Sequence, residues 1–211
     1  MSRNFCAIRQ EKMTAVILSG GNNSRILADK GFLRVGKKTI VEREIAVLSM
    51  IFSPIIIVTN SPERYRNFPV ELSSDLIPEK GPLGGVYSGL AASRDEYNFV
   101  VGCDLPFLNP ALITYMKNSA PGYDLVVPEV NGLLEPLYAF YSRNCLPAIR
   151  VSLEQNELSI RSFFSKVKLR YVRKTEIDNF DPRGITFFNV NTREDLKQAR
   201  EIAVKLESRD K

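Results

Sequence analysis

Ala15-Val16-Ile17-Leu18-Ser19-Gly20-Gly21-Asn22-Asn23-Ser24-Arg25 is the stretch whose reading decides the fold, and Asp29-Lys30 follows it closely. A short apolar run stops at paired glycines, enters a polar loop and meets two basic side chains. A strand that ends at an anion has this form. Gly20 and Gly21 put no side chain in the way, so main-chain N–H groups can face anionic oxygens. Arg25 offers those oxygens a planar fork, and Lys30 adds a mobile point charge. Spacing excludes two familiar phosphate loops. No Gly-Lys-Ser/Thr stands where a P-loop needs it, and Gly20 to Arg25 does not fit G-x-G-x-x-G. Taken alone, the same residues also read as an ordinary glycine turn with Arg25 and Lys30 in solvent.

The totals narrow the chemistry. A chain of 211 residues with 44% hydrophobic content can bury one substantial core. Residues 13–211 are therefore expected to form a single domain. Met13 could itself be a start, which makes residues 1–12 a flexible extension. Histidine is absent, so a Ser-His-Asp triad, a Cys-His pair and every His-ligated metal site are excluded. Catalysis must rest on carboxylates, Lys, Arg and backbone dipoles. The formal charge of +5 comes without long basic runs or an aromatic–basic stripe. A small anionic substrate fits it, and no nucleic-acid partner is expected. Cys6, Cys103 and Cys145 are odd in number and far apart, which argues against a disulfide framework or zinc site and for a cytoplasmic home. No apolar run has the length of a membrane span, so no membrane partner is expected.

Reading outward from the first strand (14–18), Thr39 and Glu42 form a capping box for a helix whose Val41, Ile45, Leu48 and Phe52 share one face. Pro54 stops it. Ile55 to Val58 is a strand apolar on both faces, as in a covered parallel sheet. A short strand over 70–74 ends at Asp75. Gly81-Pro82-Leu83-Gly84-Gly85 reads as a second glycine turn before a helix over 86–93. A strand over 98–102 ends in Cys103-Asp104-Leu105-Pro106, and Asn109-Pro110 opens the next helix. Strands are expected over 124–128, 137–141, 168–173 and 187–190. Helices are expected over 145–153 and 159–164, and after a cap at Asn191 with Glu194. Leu196, Ala199, Ala203 and Leu206 share the face of that last helix. The pattern is an α/β fold with a mostly parallel, doubly wound sheet, less regular in its C-terminal third.

In such sheets ligands sit beyond the carboxyl ends of the strands. The Gly20-Gly21/Arg25/Lys30 loop, Asp75, the 81–85 turn and Asp104 all fall there. Asp104 can hold Mg²⁺ against phosphates, because Mg²⁺ takes one or two protein carboxylates and keeps its waters; a helix cap is its other reading. Asp75 can accept from a base or ribose, or simply begin a turn. Cys103 reads as a packing residue, with no base beside it. Together these parts suit nucleotidyl transfer to a phosphate. An ionised acceptor needs no strong base, so positioning and charge neutralisation suffice.

Leu18-Ser-Gly-Gly-Asn-Asn-Ser-Arg25, Asp29-Lys30, Gly81-Pro-Leu-Gly-Gly85, Cys103-Asp-Leu-Pro-Phe107 and Asn189-Val-Asn-Thr192 resemble, in order and separation, the motif series of the molybdenum cofactor guanylyltransferases. The resemblance spans about residues 13–202. It implies a three-layer αβα, Rossmann-like fold of the nucleotide-diphospho-sugar transferase kind. It further implies transfer of GMP from GTP to molybdopterin-bound molybdenum cofactor, with Mg²⁺, and with molybdoenzymes or their chaperones as partners. By the same resemblance Leu18, Ser19, Gly20, Gly21 and Asp75 lie on the nucleotide. Arg25 and Lys30 bind phosphates, Asp104 holds the metal, and Gly84, Asn189 and Asn191 lie on the pterin side.

One position departs from the pattern. The family usually carries glycine two residues after the loop arginine, where this chain has Leu27, and leucine disfavours a positive φ or close approach to phosphate. Two rival readings follow. A related cytidylyltransferase or sugar-phosphate nucleotidyltransferase would share the fold, although paired glycines resemble the guanylyl branch. A non-catalytic carrier of nucleotide or pterin would bind without turnover.

Overall fold

The computed structural model describes residues 12–20 and 30–208. Gly21, Ser24, Arg25, Leu27 and Asp29 lie outside the described residues, as do residues 1–11 of the expected extension.

β1 (Thr14–Ser19) is buried along its whole length. It lies between β4 (Ile55–Thr59) and β6 (Tyr97–Gly102) and is parallel to both, with Ile17 level with Ile57 and Val101. β5 (Glu71–Ser73) continues the parallel set beyond β4. On the other flank β9 (Tyr138–Ser142) runs antiparallel between β6 and β7 (Leu125–Val130). β10 (Leu169–Arg173) pairs parallel with β7, and the short β8 (Leu133–Leu134) folds back on it. Among the described residues this gives an eight-stranded, mostly parallel sheet, seven strands in the order β10-β7-β9-β6-β1-β4-β5 and β8 beside β7 off that path.

Alternation along the strands separates two cores, since successive side chains point to opposite faces. Ala15, Ile17, Ile57, Phe99 and Val101 join the faces of α1 (Ile40–Leu48) and α3 (Pro110–Ser119). Val16, Leu18, Ile56, Val58 and Val100 join α2 (Gly81–Ala92) and α4 (Cys145–Glu154). Apolar residues on both faces of β1 and β4 thus meet helices on both sides, the arrangement expected of a doubly wound sheet. A third cluster packs Leu196, Ala199 and Ala203 of α6 (Arg193–Glu207) on Val35, Ile40 and Phe107. Val35 belongs to β2 (Arg34–Val35), which forms a hairpin with β3 (Lys38–Thr39) around Gly36. Arg43 clamps the hairpin to α6 by donating to the Val35 carbonyl at 2.7 Å and to Glu207 at 2.5 Å. The four-residue α5 (Lys174–Ile177) follows β10.

Local capping follows the sequence in most places. Thr39 and Glu42 make the capping box of α1, and Asn109 Oδ1 accepts from the N–H groups of Ala111 and Leu112. Five expectations differ. α1 ends at Leu48, so Phe52 lies past it, yet Phe52 remains buried in the same core because its N–H bonds back to Leu48. The 81–85 turn is the first part of α2, since Pro82 suits a first helical turn. The last helix is capped one residue later than expected, by Thr192 with Asp195 in a capping box. Residues 187–190 form no strand; a 3₁₀ turn (Ile185–Phe187) stands there, and a main-chain bond from Val190 N–H to the Asp104 carbonyl ties the segment to the sheet edge. Residues 159–164 are turns leading to a 3₁₀ turn at Phe164–Lys166, not a helix. Among the described residues no helix is long and apolar enough to cross a membrane.

Candidate active site

After β1 the chain moves outward through β4 to β5, then returns to place β6 on the other side of β1. Strand order therefore reverses between β1 and β6, and ligand crevices open beyond the carboxyl ends of such a pair. Gly20 leaves β1 at that point, exposed to solvent. Cys103 and Asp104 leave β6 beside it, with Cys103 N–H bonded to the Leu18 carbonyl at 3.2 Å.

Asp104 meets a cation across this crevice. Lys30 Nζ lies 3.2 Å from Asp104 Oδ2, with about a quarter of each side chain exposed (27% and 24%). The same ammonium donates to Asn191 Oδ1 at 2.5 Å. The 30–32 turn that carries Lys30 is held by aromatic packing. Phe32 lies 5.1 Å from Tyr65 and 6.4 Å from Phe68, ring centre to ring centre, with the Arg64 guanidinium over its face at 4.2 Å. The Tyr65 hydroxyl in turn bonds the buried Ser19 hydroxyl. Ser19 thus turns its side chain inward. Leu18 is likewise buried, against Gly85, where an added Cβ would lie 3.4 Å from Leu18 Cδ1.

Two further carboxyls feel Asp104. Glu44 of α1 is fully buried; its Oε1 accepts from Leu105 N–H at 3.4 Å, while Oε2 has no hydrogen-bond partner among the described residues. Burial, reinforced by the charge of Asp104 and opposed by the Leu105 N–H, pushes the Glu44 carboxyl well above the usual range. Burial and then the same charge also raise Glu135, in the turn before β9. Neither was singled out from the sequence. A signal existed for Glu44, because a carboxylate three residues after Val41 falls on the apolar face of α1.

Asp75 and Gly84 form a second group. Asp75 Oδ1 accepts from Ile77 N–H at 3.1 Å and from the Ser88 hydroxyl at 2.9 Å. Ser88 Oγ also accepts from Leu76 N–H, and the Gly84 carbonyl lies 2.8 Å from it. A Cβ on Gly84 would lie 2.9 Å from the Ile77 carbonyl oxygen, so glycine permits this loop to close on α2. The structure thus brings Lys30, Asp104 and Asn191 into direct contact and gathers Asp75 with Gly84. Asn189 is half-buried, next to Val190 and its bond to Asp104.

Whether this site suits a divalent metal can be judged from its donors. Asp104 already balances a positive charge at Oδ2, and among the described residues no group of three His, Cys, Asp or Glu could enclose an ion. One carboxylate at an open edge fits a hard cation that takes its other oxygens from water and phosphate, as Mg²⁺ does.

A strand ending at glycine, a lysine-paired carboxylate on its neighbour and a crevice at the strand-order switch define a nucleotide-handling α/β protein of the Rossmann-like kind. Residues 15–172 match the MobA-like NTP transferase domain, and the chain belongs to that family of nucleotidyltransferases. It is 34% identical over 196 residues to a probable molybdenum cofactor guanylyltransferase of Peptoclostridium acidaminophilum, covering 90% of this chain and 89% of that one. A molybdenum cofactor guanylyltransferase of Syntrophotalea carbinolica is 36% identical over 190 residues, covering 89% and 90%. The crystal structure of molybdopterin-guanine dinucleotide biosynthesis protein A from Archaeoglobus fulgidus superposes with a TM-score of 0.80 at 24% identity, covering 92% of this chain and all of that one, which establishes the shared fold.

Proposed function

We propose that this protein transfers GMP from GTP to the molybdopterin form of the molybdenum cofactor, acting as one nucleotidyltransferase unit over residues 13–211. The observation that carries this reading is the Lys30–Asp104 pair at the crevice between β1 and β6. The names of the relatives supply the base and the acceptor. Leu18, Ser19, Gly20 and Gly21 would line the nucleotide, and Asp75 would stand beside it after β5. Arg25 and Lys30 would take the triphosphate. Asp104 would hold Mg²⁺, which supplies charge neutralisation at the phosphates when bound. Gly84, Asn189 and Asn191 would face the pterin.

An oxygen of the acceptor phosphate attacks the α-phosphorus, a new P–O bond forms, and the bond to the bridging oxygen breaks to release pyrophosphate. Lys30 stabilises charge that grows on the phosphate oxygens during this exchange. Its ammonium needs only to turn from Asp104 toward the crevice. The acceptor phosphate is already ionised, so the absence of histidine costs nothing here. Molybdoenzymes or their chaperones would take the product. The buried, unoxidised Cys145 fits a reducing cytoplasm.

A thermal-shift panel of GTP, CTP, ATP and UTP, with and without Mg²⁺, tests the base. A ligand at a hundred times its Kd adds about 2.7 kcal/mol, a readily visible shift. GTP alone should stabilise the protein, and more so with Mg²⁺. A preference for CTP would move it to the cytidylyl branch. Nucleotide binding without pyrophosphate release in the presence of molybdopterin would make it a carrier. Asp104→Asn should abolish release and leave the unfolding transition cooperative.

A further inference from the structure

The resemblance puts Asn191 on the pterin side, yet in the structure its side chain is engaged elsewhere. Asn191 Oδ1 accepts from Lys30 Nζ at 2.5 Å, closer than the 3.2 Å between that nitrogen and Asp104 Oδ2. The backbone around Asn191 is fixed from three directions. Its N–H donates to Asp195 Oδ2 at 3.0 Å, and Thr192 N–H donates to the same oxygen at 2.8 Å. These two N–H groups hold the Asp195 carboxyl below its ordinary range. Thr192 Oγ1 closes the capping box by accepting from Asp195 N–H at 3.1 Å. One residue earlier, Val190 N–H bonds the Asp104 carbonyl at 2.9 Å. Behind them, α6 is seated on the hairpin and α1 by Leu196, Ala199 and Ala203. An exposed asparagine is thereby delivered to the ammonium by a rigid helix terminus.

We propose that Asn191 is a positioning residue for Lys30, holding its ammonium against Asp104 as that carboxylate's counter-charge. The proposal rests on the assignment of Asp104 to the metal. An ammonium has three donors and no acceptor, so Asp104 and Asn191 engage two and the third is left toward the crevice. Lys30 would have to leave Asp104 Oδ2 for that carboxylate to hold a divalent cation, since the two positive charges repel. Asn191, a neutral acceptor, does not itself compete for the cation; it acts on the cation only by holding Lys30 at Asp104. Lys30 and a divalent cation would thus compete for one carboxylate.

The consequence is a competition measurable without turnover. Mn²⁺ binding to the nucleotide-free full-length protein is read from the electron paramagnetic resonance signal of free Mn²⁺. Removing the ammonium with Lys30→Gln should tighten Mn²⁺ binding by up to about fivefold, the upper end for a partly exposed ion pair. Asn191→Ala leaves the ammonium present but untethered and should tighten it about two- to threefold. In the Lys30→Gln background the Asn191→Ala change should do nothing more, because the group it acts through is gone. Asn191 is exposed, and its structural bond is made by the main chain, so the fold survives the alanine.

Mn²⁺ affinity unchanged by Asn191→Ala in the wild-type background would overturn the positioning role. An effect equally large with and without Lys30 would overturn it as well. If Mn²⁺ fails to bind the wild type, or binds Asp104→Asn as well, the metal assignment of Asp104 itself is wrong and the inference falls with it. A result in which Asp104→Asn and Lys30→Gln behave as expected but Asn191→Ala does not would refute only the role of Asn191.

Discussion

Replacing Gly89 by alanine adds one methyl group where α2 meets the sheet and has no room for it. The new Cβ would lie 2.4 Å from Val16 Cγ1 and 3.4 Å from Val58 Cγ2. Carbon atoms pack at about 3.5–4.0 Å, so a gap of about 1 Å must open against Val16. Val16 is fully buried on the central strand, and a β-branched side chain has little rotamer freedom to give way. The helix must move instead. Overpacking of this kind costs about 1–3 kcal/mol. Alanine returns about 0.8–1.0 kcal/mol over glycine within a helix, which leaves a net loss of about 0–2 kcal/mol, toward the upper end for a contact this short. Gly85 in the same helix supplies the control, because its added Cβ would meet Leu18 Cδ1 at 3.4 Å, an ordinary contact. There the propensity gain prevails, and Gly85→Ala should be neutral or stabilising by up to about 1 kcal/mol. Urea denaturation of the two variants beside the wild type measures both, and the Gly89 variant should also melt lower, by up to about 8 °C. Equal stability of the two variants, or a gain from Gly89→Ala, would refute the claim that glycine is there to let α2 approach β1.

Three further outcomes can be checked. The Glu44 carboxyl is raised in the fold, so its contribution to stability is fully present below about pH 4.5 and declines as pH rises toward the folded value, by about 1.4 kcal/mol per pH unit. The stability difference between wild type and Glu44→Gln, measured from pH 5 to 9 in metal-free buffer, should shift in favour of the variant; a pH-independent difference would count against a buried, raised carboxyl. Burial pushes the Cys145 thiol up to about 12. Mass-spectrometric mapping after brief alkylation at pH 8 should therefore find Cys145 unmodified in the native protein and modified in urea; rapid native labelling would contradict its packing. Asn109 caps α3 and also donates through Nδ2 to the Phe180 carbonyl at 3.0 Å. Asn109→Ala should cost about 1–3 kcal/mol in denaturant titrations, and Asn109→Ser, which keeps the cap, about half of that.

Much of the framework was legible because it depends on short-range rules. Ile55 to Val58 could hardly be anything but a covered strand, and Thr39-x-x-Glu42 and Asn109-Pro110 satisfy helix N-termini by chemistry within a few residues. The misreadings arose where local signals competed. Gly84 and Gly85 read as loop residues because glycine weakens helices, yet both lie within α2, where the missing side chain of Gly84 lets the helix close on Ile77. Asn191 read as a cap by composition, but Thr192 took that role once Asp195 could reach two main-chain N–H groups. At the site, Lys30, Asp104 and the glycine-ended strand could be named in advance. Tyr65 and Glu135 could not, since each matters only through a neighbour far away in sequence: Ser19 for one, Asp104 for the other.

From sequence alone came the strand-and-glycine grammar, the histidine-free chemistry and the motif order, each fixed by residue type and local spacing. Tertiary structure alone decided that β6 returns to the flank of β1, which brings Asp104 to Lys30 across 74 positions and Lys30 to Asn191 across 161. The reason is physical. Propensity and capping act over one or two turns of chain, whereas an ammonium finds its carboxylate only after two cores have been buried on opposite faces of one sheet and have set the order of its strands.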